Sequence, residues 1–179
     1  STLMRSSAAS DVYKRQTYAR SSAIILYDFC KALHIPVTVY GHSTSGNSVE
    51  LYSYAEFESI DNDDKYRMMD IAARGSNRDG AALRFVAEQL VKRPEEVKIL
   101  ILVSDGQPAA PGYYGSAAEE DLRGIRQEYR RKGVLFIAAA IGEDKQNIER
   151  IYGDSFMDIT DLNQLPVKLT AAVKRHMRV

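Results

Sequence analysis

Two short polar stretches carry the residue types that could do chemistry in this chain. Ser104-Asp105-Gly106-Gln107-Pro108 follows directly on the aliphatic run Val97–Val103, VKILILV. Ser76-Asn77-Arg78-Asp79-Gly80 precedes the apolar stripe Leu83, Val86, Ala87, Leu90 of a helix. A carboxylate at a rigid strand end is a good anchor for a hard cation. Hydroxyl, amide and carboxylate oxygens are the donors that magnesium and manganese prefer. Asp105, Asp79 and Asn77 are therefore the candidate metal-ligating residues. Plainer readings stay open, because Asp-Gly is a common turn and Asp79 can cap its helix.

Other chemistries find less support. No G-x-x-x-x-G-K-[ST], G-x-G-x-x-G or G-x-S-x-G occurs. His34, His42 and His176 are scattered; His42 stands beside Ser43 and Thr44, but the sequence assigns it no carboxylate. Cys30 falls on a helical stripe and reads as a packed thiol. As the one cysteine, it excludes a disulfide within the chain and Cys-rich zinc or iron–sulfur sites. The run Asp61-Asn62-Asp63-Asp64 reads as a helix start, and the EF-hand pattern is not completed. Lys+Arg (24) equals Asp+Glu (24), which argues against a nucleic-acid binder. The longest apolar run, Val134–Ile141, is far shorter than the ~20 residues a membrane span needs. No signal peptide is expected, and the expected location is cytoplasmic.

The elements that must position these residues follow from periodicity. A chain of 179 residues suggests one domain, or one domain and a tail. Residues 1–16, STLMRSSAASDVYKRQ, show no stripe or alternation and resemble translated adapter or linker sequence, with a disordered native segment as the alternative. The domain is expected over residues 17–179. Leu26, Phe29, Cys30 and Leu33 mark a helix over Tyr18–Leu33. Strands are expected over Pro36–Gly41 and Val49–Ala55, joined by seven residues. That connection is too short for a crossover, so they pair as an antiparallel hairpin at a sheet edge. A short helix over Lys65–Ala73 follows. Val97–Val103 and Val134–Ile141 read as strands buried on both faces, with Ile99, Ile101, Leu102, Val103, Leu135, Phe136 and Ile137 central. Ser116 and Glu119 form a capping box for the helix between them. Further helices are expected over Glu143–Tyr152 and Asp161–Met177, with a short strand, Phe156–Ile159, between. The order α β β α α β α β α β α makes an α/β fold: a doubly wound, mostly parallel sheet with one antiparallel edge hairpin and helices on both faces. A helix that comes before any strand suggests that a first strand belongs upstream of Thr17.

Pro36–His42 (PVTVYGH), Gly75–Leu83 (GSNRDGAAL), Ile99–Pro108 (ILILVSDGQP), Ala140–Asp144 (AIGED) and Ile159–Leu162 (ITDL) together resemble the von Willebrand factor A (vWA) domain. The similarity lies near the C-terminal domains of CobT-type cobaltochelatase subunits and NorD-type nitric oxide reductase activation proteins. It covers Thr17 to the C-terminus. The resemblance implies a metal-ion-dependent adhesion site built from three loops. Asp105 matches the third loop. Asn77 and Asp79 match the second, although no Thr stands there. The first, D-x-S-x-S, has no match in the chain.

The resemblance thus implies a non-catalytic interaction module of a larger cytoplasmic protein. It would work with an AAA+ ATPase, either in metal insertion into a tetrapyrrole (cobalamin biosynthesis) or in activation of a metalloenzyme, and would hold Mg2+ or Mn2+ weakly. Gln107, Tyr113 and Tyr114 would form part of the partner surface. The alternative is a small α/β enzyme using Asp105 and Asp79 in metal-dependent phosphoryl chemistry. Such an enzyme should carry a further catalytic Lys or a phosphate-cradling loop, and neither is evident.

Overall fold

The computed structural model describes residues 2–58, 62–72, 74–104, 108–140 and 145–177, with side chains described from Tyr13 to Arg175. The described chain packs as two compact units. One comprises residues 1–41 and 52–74, the other residues 42–51 and 75–179.

In the first unit, α1 (Thr2–Ala32) is one helix of 31 residues. It begins well ahead of the Tyr18 start expected from periodicity. Residues 2–16 hold no Gly or Pro to break a helix, so the absence of a stripe there did not mark a boundary. The stripe that packs is also displaced. Ala23, Ile24 and Tyr27 face the core while Leu33 is exposed. Arg20 continues this face and bonds the Ile71 carbonyl at 3.0 Å. Cys30 is half-buried, and burial pushes its thiol up. The helix α2 (Asp64–Met68) is shorter than expected. After Met68 the chain tightens into i→i+3 bonds, Asp70 N to Arg67 O and Ile71 N to Met68 O, and the α-helix stops. Asp64 is buried, takes a 2.6 Å bond from the Tyr27 hydroxyl, and pairs with Arg67.

The strands β1 (Val39–Ser45) and β2 (Ser48–Ala55) form the expected hairpin. The expected seven-residue loop is not there: the turn condenses to Gly46-Asn47, with Gly46 at φ 58°. A two-residue turn with positive φ matches the strand twist. So residues 42–45, read from sequence as loop, belong to a strand. Among the described residues the hairpin pairs with itself and, through the single Thr44–Ser76 bridge, with the chain before α3; no strand of the parallel sheet pairs with it.

In the second unit, α3 (Asp79–Val91) precedes β3 (Lys98–Ser104). A small antiparallel hairpin follows, β4 (Ala109–Ala110) and β5 (Tyr113–Tyr114), and then α4 (Gly115–Arg131). β6 (Val134–Ala140), α5 (Lys145–Tyr152), β7 (Phe156–Asp158) and α6 (Leu165–Met177) complete the chain. β6 lies between β3 and β7, and both pairings are parallel. This is the α/β architecture of a parallel sheet flanked by helices, with a separate antiparallel hairpin.

One face of the sheet carries the main core: Leu100 and Leu102 of β3 and Phe136, Ala138 and Ala140 of β6, with Leu83, Leu122, Ile125 and Tyr129 from α3 and α4. β6 is buried at almost every position, as expected for a central strand. β3 instead alternates, with Leu100 and Leu102 buried but Ile99, Ile101 and Val103 only half-buried. It has one strand neighbour among the described residues, which makes it an edge strand of the three-stranded sheet. The capping box is not formed. The helix starts one residue before Ser116, its N-cap is Tyr114, and no side chain caps it. Glu119 turns instead to Arg150 of α5, at 2.7 Å, and is buried there.

Leu100→Ala should cost about 2–5 kcal/mol, as expected for a truncated core leucine. Ile101→Ala should cost distinctly less. Urea denaturation of both variants is the measurement, and equal losses would contradict the one-sided burial of β3.

Candidate functional site

Three segments of the second unit are laced together around the start of α3. The end of β1 meets the chain before the helix: the Thr44 amide donates to Ser76 O at 2.8 Å, and the Arg78 amide to Thr44 Oγ1 at 3.0 Å. Gly75 allows this approach. It sits at φ 113°, and a Cβ there would meet Thr44 O at 3.3 Å. On the other side, the Ala109 amide donates to Asn77 twice, to Oδ1 at 2.9 Å and to the carbonyl at 3.2 Å.

This lacing sets Asp79 in the first turn of α3, where the helix dipole favours a carboxylate. Asp79 is 3% exposed. Its Oδ1 lies 2.8 Å from His42 Nε2, on an imidazole whose side chain is 21% exposed. His42 is the residue that sequence reasoning left without a partner. Its carboxylate stands 37 residues away. The signal that leads to it is the Gly46-Asn47 turn: once β1 runs to Ser45, His42 and Thr44 alternate onto one strand face.

A second cluster braces the helix from outside. Arg84 of α3 holds Asp121 of α4 with two bonds, at 2.6 and 3.2 Å, and the Tyr113 hydroxyl donates to Asp121 at 2.7 Å. The Arg84 hydrogen bonds hold the Asp121 carboxyl below the usual carboxylate range. Burial first, and then the bond to Asp121, push the Tyr113 phenol up. Gly80 leaves room here: a Cβ would lie 2.4 Å from both Asp121 Oδ2 and Tyr113 Oη, the tips of those two side chains. Arg78 reaches Pro111 O at 2.6 Å, with its guanidinium 5.9 Å from the Tyr113 ring centre.

Of the candidate residues, Asp79 and Asn77 are brought into this one corner, but the Asn77 amide oxygen is engaged by the β4 backbone. Tyr113 is turned inward to Asp121, whereas Tyr114 is exposed. Asp105 and Gln107 lie outside the described residues. No three His, Cys, Asp or Glu side chains among the described residues converge on a point. With one Asp79 oxygen committed to His42, the described protein groups do not by themselves complete the shell of a hard cation.

At the carboxyl end of β7, Asp158 accepts from Lys145 at 2.9 Å and from both Thr160 groups. Burial raises this carboxyl, but the Thr160 and Lys145 hydrogen bonds outweigh that and bring it to about 2. No helix among the described residues is long and apolar enough to cross a membrane.

A sequence model of the family described as the cobalamin biosynthesis protein CobT VWA domain matches residues 65–177. The chain is 24% identical over 181 aligned positions to the uncharacterized protein YojO of Bacillus subtilis, covering 93% of this chain and 28% of YojO. It is 34% identical over 97 positions to protein NorD of Brucella suis, covering 52% of this chain and 15% of NorD. The chain therefore spans well under a third of either relative.

Two outcomes are expected from these contacts. In a double-mutant cycle, Tyr113→Phe and Asp121→Asn should each destabilise by about 1–3 kcal/mol and should couple by more than about 0.5 kcal/mol, measured by urea denaturation; additive losses would show that the 2.7 Å contact contributes nothing. For Asp158, a depressed folded value means that the stabilisation is present above the unfolded carboxylate range near pH 4 and fades as pH falls toward about 2. The stability gap between wild type and Asp158→Asn should therefore close over that window, and a gap that persists at pH 2 would refute the assignment.

Proposed function

Because this chain belongs to the family of the CobT VWA domain, we propose that it is a protein-interaction module of a larger cytoplasmic protein that works with an AAA+ ATPase. Its service would be metal insertion into a tetrapyrrole, in cobalamin biosynthesis, or activation of a metalloenzyme such as nitric oxide reductase. The family match supports the first setting, and the similarity to NorD over half of the chain supports the second. The module is non-catalytic by itself: it presents a surface, and the larger complex performs the chemistry.

The observation that supports the site is the buried Asp79 carboxylate at the start of α3, with His42 Nε2 2.8 Å from its Oδ1. Asp79 and Asp105 would hold Mg2+ or Mn2+ with water completing the shell. When bound, the ion supplies a Lewis-acidic position that a partner carboxylate can fill. The chain's own groups do the rest. His42 orients Asp79, Arg84 and Asp121 fix Tyr113, and exposed Tyr114 offers an aromatic contact beside the site, with Gln107 assigned to the same surface. Aromatic residues are enriched in such interfaces.

Calorimetric titration with MnCl2 tests the site. Wild type should give a saturable, weak isotherm, and Asp79→Asn and Asp105→Ala should each reduce the affinity at least about tenfold. An isotherm unchanged by Asp79→Asn would place the ion elsewhere. Co-sedimentation with the AAA+ subunit of a chelatase, with and without EDTA, tests the partner; no complex in either condition would refute the module's proposed role.

A further inference from the structure

The outer face of α4 carries a glycine that nothing described within the chain explains. Ala118, Leu122, Ile125 and Tyr129 turn inward and are buried. On the opposite side Glu120, Gly124, Gln127 and Arg131 are exposed. At the helical repeat these four lie within about 60° of one another and make one stripe. Gly124 sits in the middle of a helix of 17 residues. Its φ is not positive, so the backbone there suits any residue. A Cβ at Gly124 would meet nothing within 4 Å. Glycine in a helix interior weakens the helix relative to alanine, and here no turn, tight packing or left-handed backbone answers for that loss. Such a glycine leaves room for another backbone to come close.

The charges on the same helix point to what comes close. Most of them are paired within the chain: Glu119 with Arg150, Asp121 with Arg84, Arg126 and Arg130 with Asp154, and Glu128 with Lys132. Arg123 reaches Glu119 at 3.6 Å. Among the described residues, Glu120 and Arg131 are the two charges of α4 without an ion pair or hydrogen bond. The helix dipole accounts for a cation at Arg131, in the last turn, but fades before Glu120, which lies beyond the first. The two stand about 16 Å apart along the axis, so they cannot touch within one helix. A two-fold axis between Ile125 and Arg126 sets Glu120 of one copy level with Arg131 of the other, twice over, and Gly124 level with Gln127.

We propose that the outer face of α4 is a docking surface for a second copy of this chain, the two helices packing antiparallel with Gly124 beside the crossing. Helix axes pack about 8–10 Å apart, at a distance set by the side chains in contact. Gly124 makes room for Gln127 of the other copy and brings the axes to the short end of that range. Glu120 and Arg131 set the register and the antiparallel sense, because a parallel pair would bring each against its own like charge. The ion pairs stay accessible to solvent, and one helix face is smaller than the surface a stable complex buries. The association is therefore weak and is reversed by salt. It needs no ion at Asp79.

Sedimentation equilibrium of this chain, up to about 1 mM, tests the contact. Wild type should show a monomer–dimer equilibrium that weakens as NaCl rises from about 0.05 M to about 0.5 M and is unchanged by EDTA. Glu120→Arg and Arg131→Glu should each weaken the dimer at least about tenfold, since each brings like charges together at both contacts. An equimolar mixture of the two variants should regain the wild-type affinity, because every contact between them again joins opposite charges. Gly124→Gln fills the gap with an uncharged helix former. It should weaken the dimer at least about tenfold, yet raise the thermal midpoint of the dilute monomer. A monomeric wild type, or a dimer that neither reversal weakens, would overturn the proposal. So would a mixture that associates no more tightly than its components, since the loss would then come from something other than the cross-pair. A Gly124→Gln midpoint below wild type would overturn it too, because the glycine would then serve the monomer.

Discussion

A carboxylate withdrawn from water must be answered by hydrogen bonds or charge, and Asp79 imposes that demand on the fold around it. The answer is His42, which can reach Asp79 only if β1 continues through Ser45 and turns within two residues. The strand must then be pinned against the chain that leads into α3. Thr44 does this through its own amide and its hydroxyl, and Gly75 leaves room for the contact. A hairpin turn, and a glycine of positive φ just ahead of a helix start, thus share one electrostatic requirement.

The energy that holds the second unit together comes from elsewhere. The apolar cluster between the sheet and α3, α4 and α5 removes nonpolar surface from water. The ion pairs on its rim choose among arrangements that this burial alone would leave open. Arg84 with Asp121 fixes α3 against α4, and Glu119 with Arg150 fixes α4 against α5. A pair such as Glu119–Arg150 is a weak argument for stability, because removing a carboxylate from water offsets much of the attraction. As a way of fixing how helices abut, it is effective, since Glu119 is buried and meets Arg150 only when α5 lies against α4.

The parallel sheet was legible because its signal is strong and local. VKILILV and VLFIAAAI are too apolar and too short to be anything but strands in an α/β chain, and strands form there over Lys98–Ser104 and Val134–Ala140. Elements whose signal depends on a distant partner were less legible. Glu119 reads as half of a capping box, but Arg150, 31 residues on, outcompetes the helix end for it. The Leu26–Leu33 stripe of α1 looks like the packing face, yet the face that packs contains Arg20 and Tyr27, whose polar ends reach the Ile71 carbonyl and Asp64. The His42–Asp79 pair was invisible for the same reason, since no local pattern marks a contact across 37 residues. Asp79 itself could be found, because a polar stretch ahead of an apolar helical stripe is a local feature.

The alternation of β1 has an evolutionary consequence. His42 and Thr44 face the α3 entry because they are two residues apart on one strand. Lengthening or shortening the hairpin by one residue would invert both at once, removing the imidazole and the hydroxyl from the site together. A change of two residues would conserve both. Indels in this hairpin should therefore be tolerated by parity rather than by size, so that loop-length variation, usually regarded as neutral, is constrained here by the buried charge of Asp79.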